Sequence, residues 1–250
     1  MSHKDWIERI VSVAILLGIW QAAAMIVSQS ILLASPVDVV VRLGTLWMEE
    51  EFVSATLYSL SRIAAGFFLS LACGIVCAIL ASKFHAVEVM LRPLMLTIKT
   101  VPVVSIILIC LIWMTSGQLT AFIVFLMVFP VVYANLLEGI LSTDENMQQM
   151  ASVFHVPYAK RLLYIYLPQI KPFLISACSV SIGMAWKSGI AAEVLSVPDG
   201  SIGEMLYTSK VYFHTTDLLA WTVLVVLLSL LFEKLFIKAL EFAFARMEKL

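Results

Sequence analysis

The sequence predicts an all-α integral membrane protein with six transmembrane helices and both termini on the cytoplasmic side, on three observations. Hydrophobic residues make up 62% of the 250-residue chain and charged residues 13%, with a mean hydropathy of +1.00. A soluble domain carries about 25% charged residues, and no interior of this size could hide the apolar excess. Six stretches reach the roughly 20 mostly apolar residues that a bilayer crossing needs. Eleven of the 16 Lys and Arg residues fall in segments that alternation places on one side, against Arg42, Arg62 and Lys210 on the other. Basic residues collect on the cytoplasmic side.

The spans are read at 10–27, 63–81, 94–113, 119–141, 173–195 and 218–237. Their unbroken length argues for helices, because backbone in lipid must satisfy its own hydrogen bonds. Lys4 and Arg9 ahead of the first span, and Ala22-Ala23-Ala24 within it, also have the form of a secretory signal; a retained span is the reading adopted. Ser35-Pro36 opens an outer helix expected to close near Glu49-Glu50-Glu51. Pro102 and Pro130 lie inside spans three and four, where each removes a backbone donor and favours a kink. Small residues recur every fourth position, as Gly66, Ser70, Gly74, Ala78 and Ser82 in span two and Ala177, Ser181, Ala185 and Gly189 in span five. Such stripes let neighbouring backbones approach, and serve bundle packing, a dimer seam or a transport pathway.

No linker, low-complexity run or repeat divides the chain, so 1–250 is one domain. Net charge −1 and a pI near 6.4 argue against a nucleic-acid binder. Cys73, Cys77, Cys110 and Cys178 all sit in apolar stretches without metal-ligand spacing and read as packing residues. The four histidines are scattered, no H-E-x-x-H or G-x-S-x-G occurs, and none of the ten glycines precedes a lysine. These features argue against an intramembrane zinc site, and neither a nucleophile elbow nor a phosphate-cradling GxxxxGK[ST] loop occurs in the sequence.

The inner loop at 142–168 carries the most information. Ser142 and Glu145 have capping-box spacing for a helix start, and Pro157 suits the first turn of a second helix. Pro168 is expected to end that helix by pushing Leu167 out of the α region. Phe154, Val156 and Tyr158 gather at the turn, an apolar knob for a partner's groove; a plain interfacial re-entry segment reads the same way.

This loop resembles the cytoplasmic coupling motif of ABC importer permeases: E-A-A, three residues, G, nine residues, I-x-L-P. Gln149-Met150-Ala151 stand at E-A-A, His155 at the glycine, and Ile165-Tyr166-Leu167-Pro168 at I-x-L-P. The rest of the chain is similar to the nitrate/sulfonate/taurine group of these permeases. The similarity lies in Ser35-Pro36, Ser59-Leu60-Ser61-Arg62 with Gly66, Pro102, Ala185-Trp186, Ala192-Glu193 and Gly200-Ser201-Ile202-Gly203. The resemblance implies a multi-pass permease of the cell (inner) membrane that works as a homodimer rather than an enzyme. It further implies two cytoplasmic ATPase subunits that hold ATP and magnesium, with no cofactor in this chain, and an external substrate-binding protein. Gln149, Met150, Ala151, Phe154, His155, Val156, Pro157 and Tyr158 would then form the ATPase contact.

Lys187 and Glu193 are the charges well inside span five, where charge is costly and marks function by default. At ~100° per residue they lie on different faces. Lys187 either snorkels or pairs with another helix, or flanks the path of an anionic solute. Glu193 stands at the family's A-E position, where a structural hydrogen-bonding role is expected. Two other classes compete with the importer permease. An ion-coupled secondary transporter is disfavoured by six spans without an inverted repeat, and a membrane enzyme by the lack of any catalytic constellation.

Overall fold

The computed structural model describes residues 3–27, 29 and 31–247. Among them every regular element is helical: α1 (His3–Val27), α2 (Pro36–Leu46), α3 (Glu50–Lys83), α4 (His85–Thr100), α5 (Val103–Cys110) and α6 (Ser116–Leu141), then α7 (Glu145–Val153), α8 (Tyr158–Arg161), a π-helical turn (Leu162–Tyr166), α9 (Leu167–Ser196), α10 (Ile202–Val211) and α11 (Thr215–Met247). Ser35 caps α2 as expected, its hydroxyl accepting from the Asp38 N–H at 3.2 Å with Pro36 in the first turn. Glu49–Glu51 do not close that helix. Glu49 is the N-cap of α3, and Glu50 and Glu51 occupy its first turn, where carboxylates favour the positive end of the helix dipole.

Among the described residues three helical runs are long and apolar enough to cross a membrane, Glu50–Lys83, Ser116–Leu141 and Leu163–Ser196, and α4 with α5 adds a fourth if the bent pair is one crossing. The third expected span is therefore not one rod. α4 and α5 meet at 99°, with Val101 extended at ψ 131° and Pro102 capping α5. The ring of Pro102 excludes Val101 from the helical region, and both residues leave the helix, so the expected kink becomes a right-angle break. Pro130, by contrast, sits inside an uninterrupted α6.

Pro168 does not stop its helix either. Tyr166 stays helical at φ −72°, ψ −48°, and α9 begins with Pro168 in its first turn. The wider π-helical turn just before it fits a proline, which brings no N–H and whose ring would strike the preceding turn.

α6 packs most extensively, on α3 and on α9, and the small-residue stripes are why. A Cβ on Gly66 would lie 2.4 Å from the Ala121 carbonyl oxygen, one on Gly74 2.6 Å from Val132, and one on Gly189 2.7 Å from Ile63. Ser70 sits between α3 and α6 with its hydroxyl 2.8 Å from the Gly66 carbonyl and 2.9 Å from that of Phe125. Ala177, Ser181 and Ala185 are buried on the same side of α9. The stripes thus serve packing within the chain.

α11 closes against α3 through edge-on rings, Phe67 to Phe236 at 5.1 Å and to Phe232 at 5.9 Å. Arg42 of α2 forms ion pairs with Asp217 of α11 and with Glu49, and these hold its guanidinium pKa above the ordinary value, the Asp217 hydrogen bond first. α1 is peripheral: its Trp20 indole donates to the Ala34 carbonyl at 3.1 Å, and most of its described side chains are exposed.

Candidate functional site

The loop between α6 and α9 folds as two short helices joined by a closed turn. Its start differs from the capping-box reading. Ser142 caps the C-terminal end of α6, and Asp144 caps α7 by accepting from the Asn146 N–H at 2.8 Å. α7 is fastened alongside the start of α9: the Gln169 side-chain oxygen accepts from the Asp144 N–H at 3.0 Å, and the Tyr166 hydroxyl donates to Gln148 at 3.2 Å.

The end of α7 is a Schellman turn. The Val156 N–H donates to the Ala151 carbonyl at 2.9 Å, and the His155 N–H to the Ser152 carbonyl at 3.1 Å. This 6→1 and 5→2 pattern places its left-handed residue at His155, where φ is +52°. The motif glycine of the resemblance falls at that position, and the backbone shows why glycine suits it: a Cβ in this region costs about 1–2 kcal/mol. Histidine is among the side chains that tolerate it better than most.

Arg161, at the end of α8, reaches back into the turn. Its Nε donates to the Val156 carbonyl at 2.8 Å, Nη2 to the Ala151 carbonyl at 2.9 Å and Nη1 to the Ser152 hydroxyl at 3.0 Å. The sequence reading passed over Arg161. Its signal was available only as a basic residue ten positions after Ala151, within reach if the turn doubled back.

Of the residues expected at this surface, Gln149, His155 and Pro157 are exposed and Val156 is half-buried. Met150 and Phe154 are 55% and 74% exposed, and Val153, which sequence reasoning missed, is 73% exposed. Ala151 is buried at 1%, so its place is inside the turn and not on its surface. Tyr158 opens α8, and its side chain lies outside those described. Beside the apex runs an open groove of about 530 Å³, lined by Gln148, Gln149, Ser152, Val153, Arg161, Ile165 and Tyr166.

The two charged residues of α9 part ways, as their angular offset requires. Lys187 is exposed on the face turned away from the small-residue stripe, and no carboxylate among the described residues pairs with it. Glu193 is fully buried. One of its oxygens accepts from the Ser59 hydroxyl at 2.6 Å and from the Gly203 N–H at 3.2 Å, while the Ser59 oxygen accepts from the Ile202 N–H at 2.9 Å. A Cβ on Gly203 would lie 2.2 Å from that of Glu193, so only glycine allows α10 to come this close. Three separated fragments noted in the sequence, around Ser59, Glu193 and Gly203, thus meet in one buried network joining α3, α9 and α10. No group of three or more His, Cys, Asp or Glu side chains among the described residues could hold a metal.

Comparison with known proteins finds similarity to transport permeases. The taurine transport system permease protein TauC of Escherichia coli is 25% identical over 229 residues, 89% of this chain and 83% of that protein. The nitrate import permease protein NrtB of Synechococcus elongatus is 25% identical over 215 residues, 82% of this chain and 76% of its own. The bicarbonate transport system permease protein CmpB of the same species is 24% identical over 180 residues, 72% of this chain and 65% of its own. These relatives are transport components, not enzymes. The family described as the binding-protein-dependent transport system inner membrane component matches residues 70–246, from the core of α3 through the π turn to the end of α11, and the chain belongs to that family as a multi-pass inner-membrane permease.

Proposed function

We propose that this chain is the membrane-spanning permease of an ATP-driven importer for a small anionic solute, which an external binding protein delivers. ATP and magnesium belong to a separate ATPase that docks on the α7–α8 turn. The observation that supports this most is the apex itself: Val153 and Phe154 stand exposed on a turn closed by its own hydrogen bonds and by Arg161. An apolar side chain held out on a rigid turn matches a partner's groove without a further ordering cost. The solute class rests on the printed substrates of the relatives, taurine, nitrate and bicarbonate, which share a compact anionic group.

In this reading the chain crosses six times with both ends inside. α1 and α11 have 25 and 33 residues, about 37 and 50 Å at the helical rise, against an apolar core of about 30 Å. The Lys/Arg bias puts the α7–α8 turn in the cytoplasm. Exposed Trp47, Trp113 and Tyr212 sit in segments assigned to the opposite side, as in an interfacial aromatic belt. The face of α9 bearing Ser176, Val180, Met184 and Lys187 is uncovered in the single chain, which suits a second copy across a two-fold axis.

Phe154→Asp tests the docking assignment. A charge facing an apolar groove costs several kcal/mol, so ATPase co-purification and solute uptake should both fall about tenfold or more while the protein still inserts in the membrane. Co-purification at the wild-type level would move the docking surface elsewhere.

A further inference from the structure

We infer that Arg161 does in this chain what a glycine at position 155 would otherwise do: it holds the turn in its left-handed form, so the turn presents Phe154 and passes force to α9. The inference rests on the docking role proposed above. The backbone at His155 has φ +52°, a conformation that glycine adopts freely and histidine adopts at a cost. Something must hold it, and the residues on either side show what does. The guanidinium of Arg161 bonds the carbonyls of Ala151 and Val156, and the hydroxyl of Ser152. Ala151 and Val156 are the two residues that the 6→1 hydrogen bond joins, so one side chain spans the closure of the turn. Its charge also faces the carbonyl end of α7, where a cation is favoured.

The same side chain makes a mechanical connection. Arg161 is the last residue of α8 and is followed at once by the π-helical turn and then by α9, with no non-helical residue between them. A push on Phe154 therefore reaches α9 by two routes, the backbone through Pro157 and the Arg161 bonds across the turn. The backbone route passes through His155 and Val156, which are not helical. The guanidinium bypasses them. Three charge-assisted bonds from one planar fork are shorter and stiffer than a chain of free torsions. Lysine, a point charge on a flexible stem, cannot replace that geometry.

The test has one part that needs no partner and one that does. In the detergent-solubilised chain, hydrogen exchange at the Val156 N–H should speed up about tenfold in Arg161→Met. Exchange should slow again in His155→Gly/Arg161→Met, because glycine supplies the left-handed conformation without help. Arg161→Lys should behave like Arg161→Met. Unchanged exchange in Arg161→Met, or no recovery in the double variant, overturns the inference. In proteoliposomes with the cognate ATPase and binding protein, Arg161→Met should lose about tenfold in uptake, and ATPase co-purification should fall with it. The double variant should recover uptake to within about threefold. Uptake that stays low in the double variant means that Arg161 acts through another contact, which also overturns the inference. The outcome of Phe154→Asp is independent of these: if that variant still binds the ATPase, the docking role fails, while the exchange results still decide what Arg161 does to the turn.

Discussion

Lys187 stands on an exposed face of α9, with no carboxylate partner among the described residues. The bilayer, a second copy and the solute are the neighbours that this exposed face can meet. Lys187→Met keeps most of the bulk and removes the charge. If the ammonium flanks an anion path, uptake should drop about tenfold with assembly and ATP hydrolysis retained, and Lys187→Arg should keep part of the activity. Unchanged uptake in Lys187→Met would assign the ammonium to the membrane surface. Glu193 makes the opposite case, because it is closed in by its own network. Glu193→Ala leaves the Ser59 O–H donor and the Gly203 N–H without their buried acceptor, at about 1–3 kcal/mol each. Its melting temperature in detergent should therefore fall further than that of Ser59→Ala, which leaves the Ile202 N–H unpaired but leaves Glu193 its Gly203 bond. Equal losses in the two variants would mean that the carboxylate is not the centre of the network.

Between elements, the closeness of α3 to α6 depends on what Gly66 lacks. An added Cβ would meet a backbone oxygen at 2.4 Å and Val124 at 2.7 Å, and a backbone atom cannot rotate away as a side chain can. Gly66→Ala should destabilise the bundle by about 1–3 kcal/mol, the usual cost of overpacking. Gly18 is the internal control, because a Cβ there meets nothing within 4 Å. Gly18→Ala should leave the melting temperature unchanged or raise it slightly, since alanine is the better helix former. Loss of stability in Gly18→Ala and none in Gly66→Ala would contradict the packing described here. The right-angle break at Val101-Pro102 belongs to the same scale. A proline inside an apolar run was legible as a disturbance, but its size depends on whether the next residues find a helix to rejoin. At Pro130 they do; at Pro102 a new helix starts in a new direction. At Pro168 a π-helical turn absorbs the misfit.

For the whole molecule the decisive question is which end faces which compartment. In a cysteine-free background, single cysteines at Gln118 and Thr208, both exposed, should react with an impermeant thiol reagent applied outside intact cells. A cysteine at Gln149 should react only after the membrane is opened. Labelling of Gln149→Cys from outside would invert the topology and with it the docking assignment. The purified chain alone should hydrolyse no ATP, because the sequence offers no phosphate-cradling loop.

The membrane class, the helical content, three of the six expected span positions and the odd loop at 142–168 were legible in the sequence because they are properties of composition and local order. Apolar length, basic asymmetry and turn chemistry act between neighbours in the chain. Tertiary structure alone decided what depends on distance between remote residues. It turned the small-residue stripes inward onto α3, α6 and α9. It brought Ser59, Glu193 and Gly203 together although 134 and 10 residues separate them from one another. It buried Ala151 under the turn whose surface it was expected to form, and it exposed Val153. It also set Arg161 across the turn, because a long side chain acts where the backbone carries it, and a left-handed residue at His155 carries the chain back on itself.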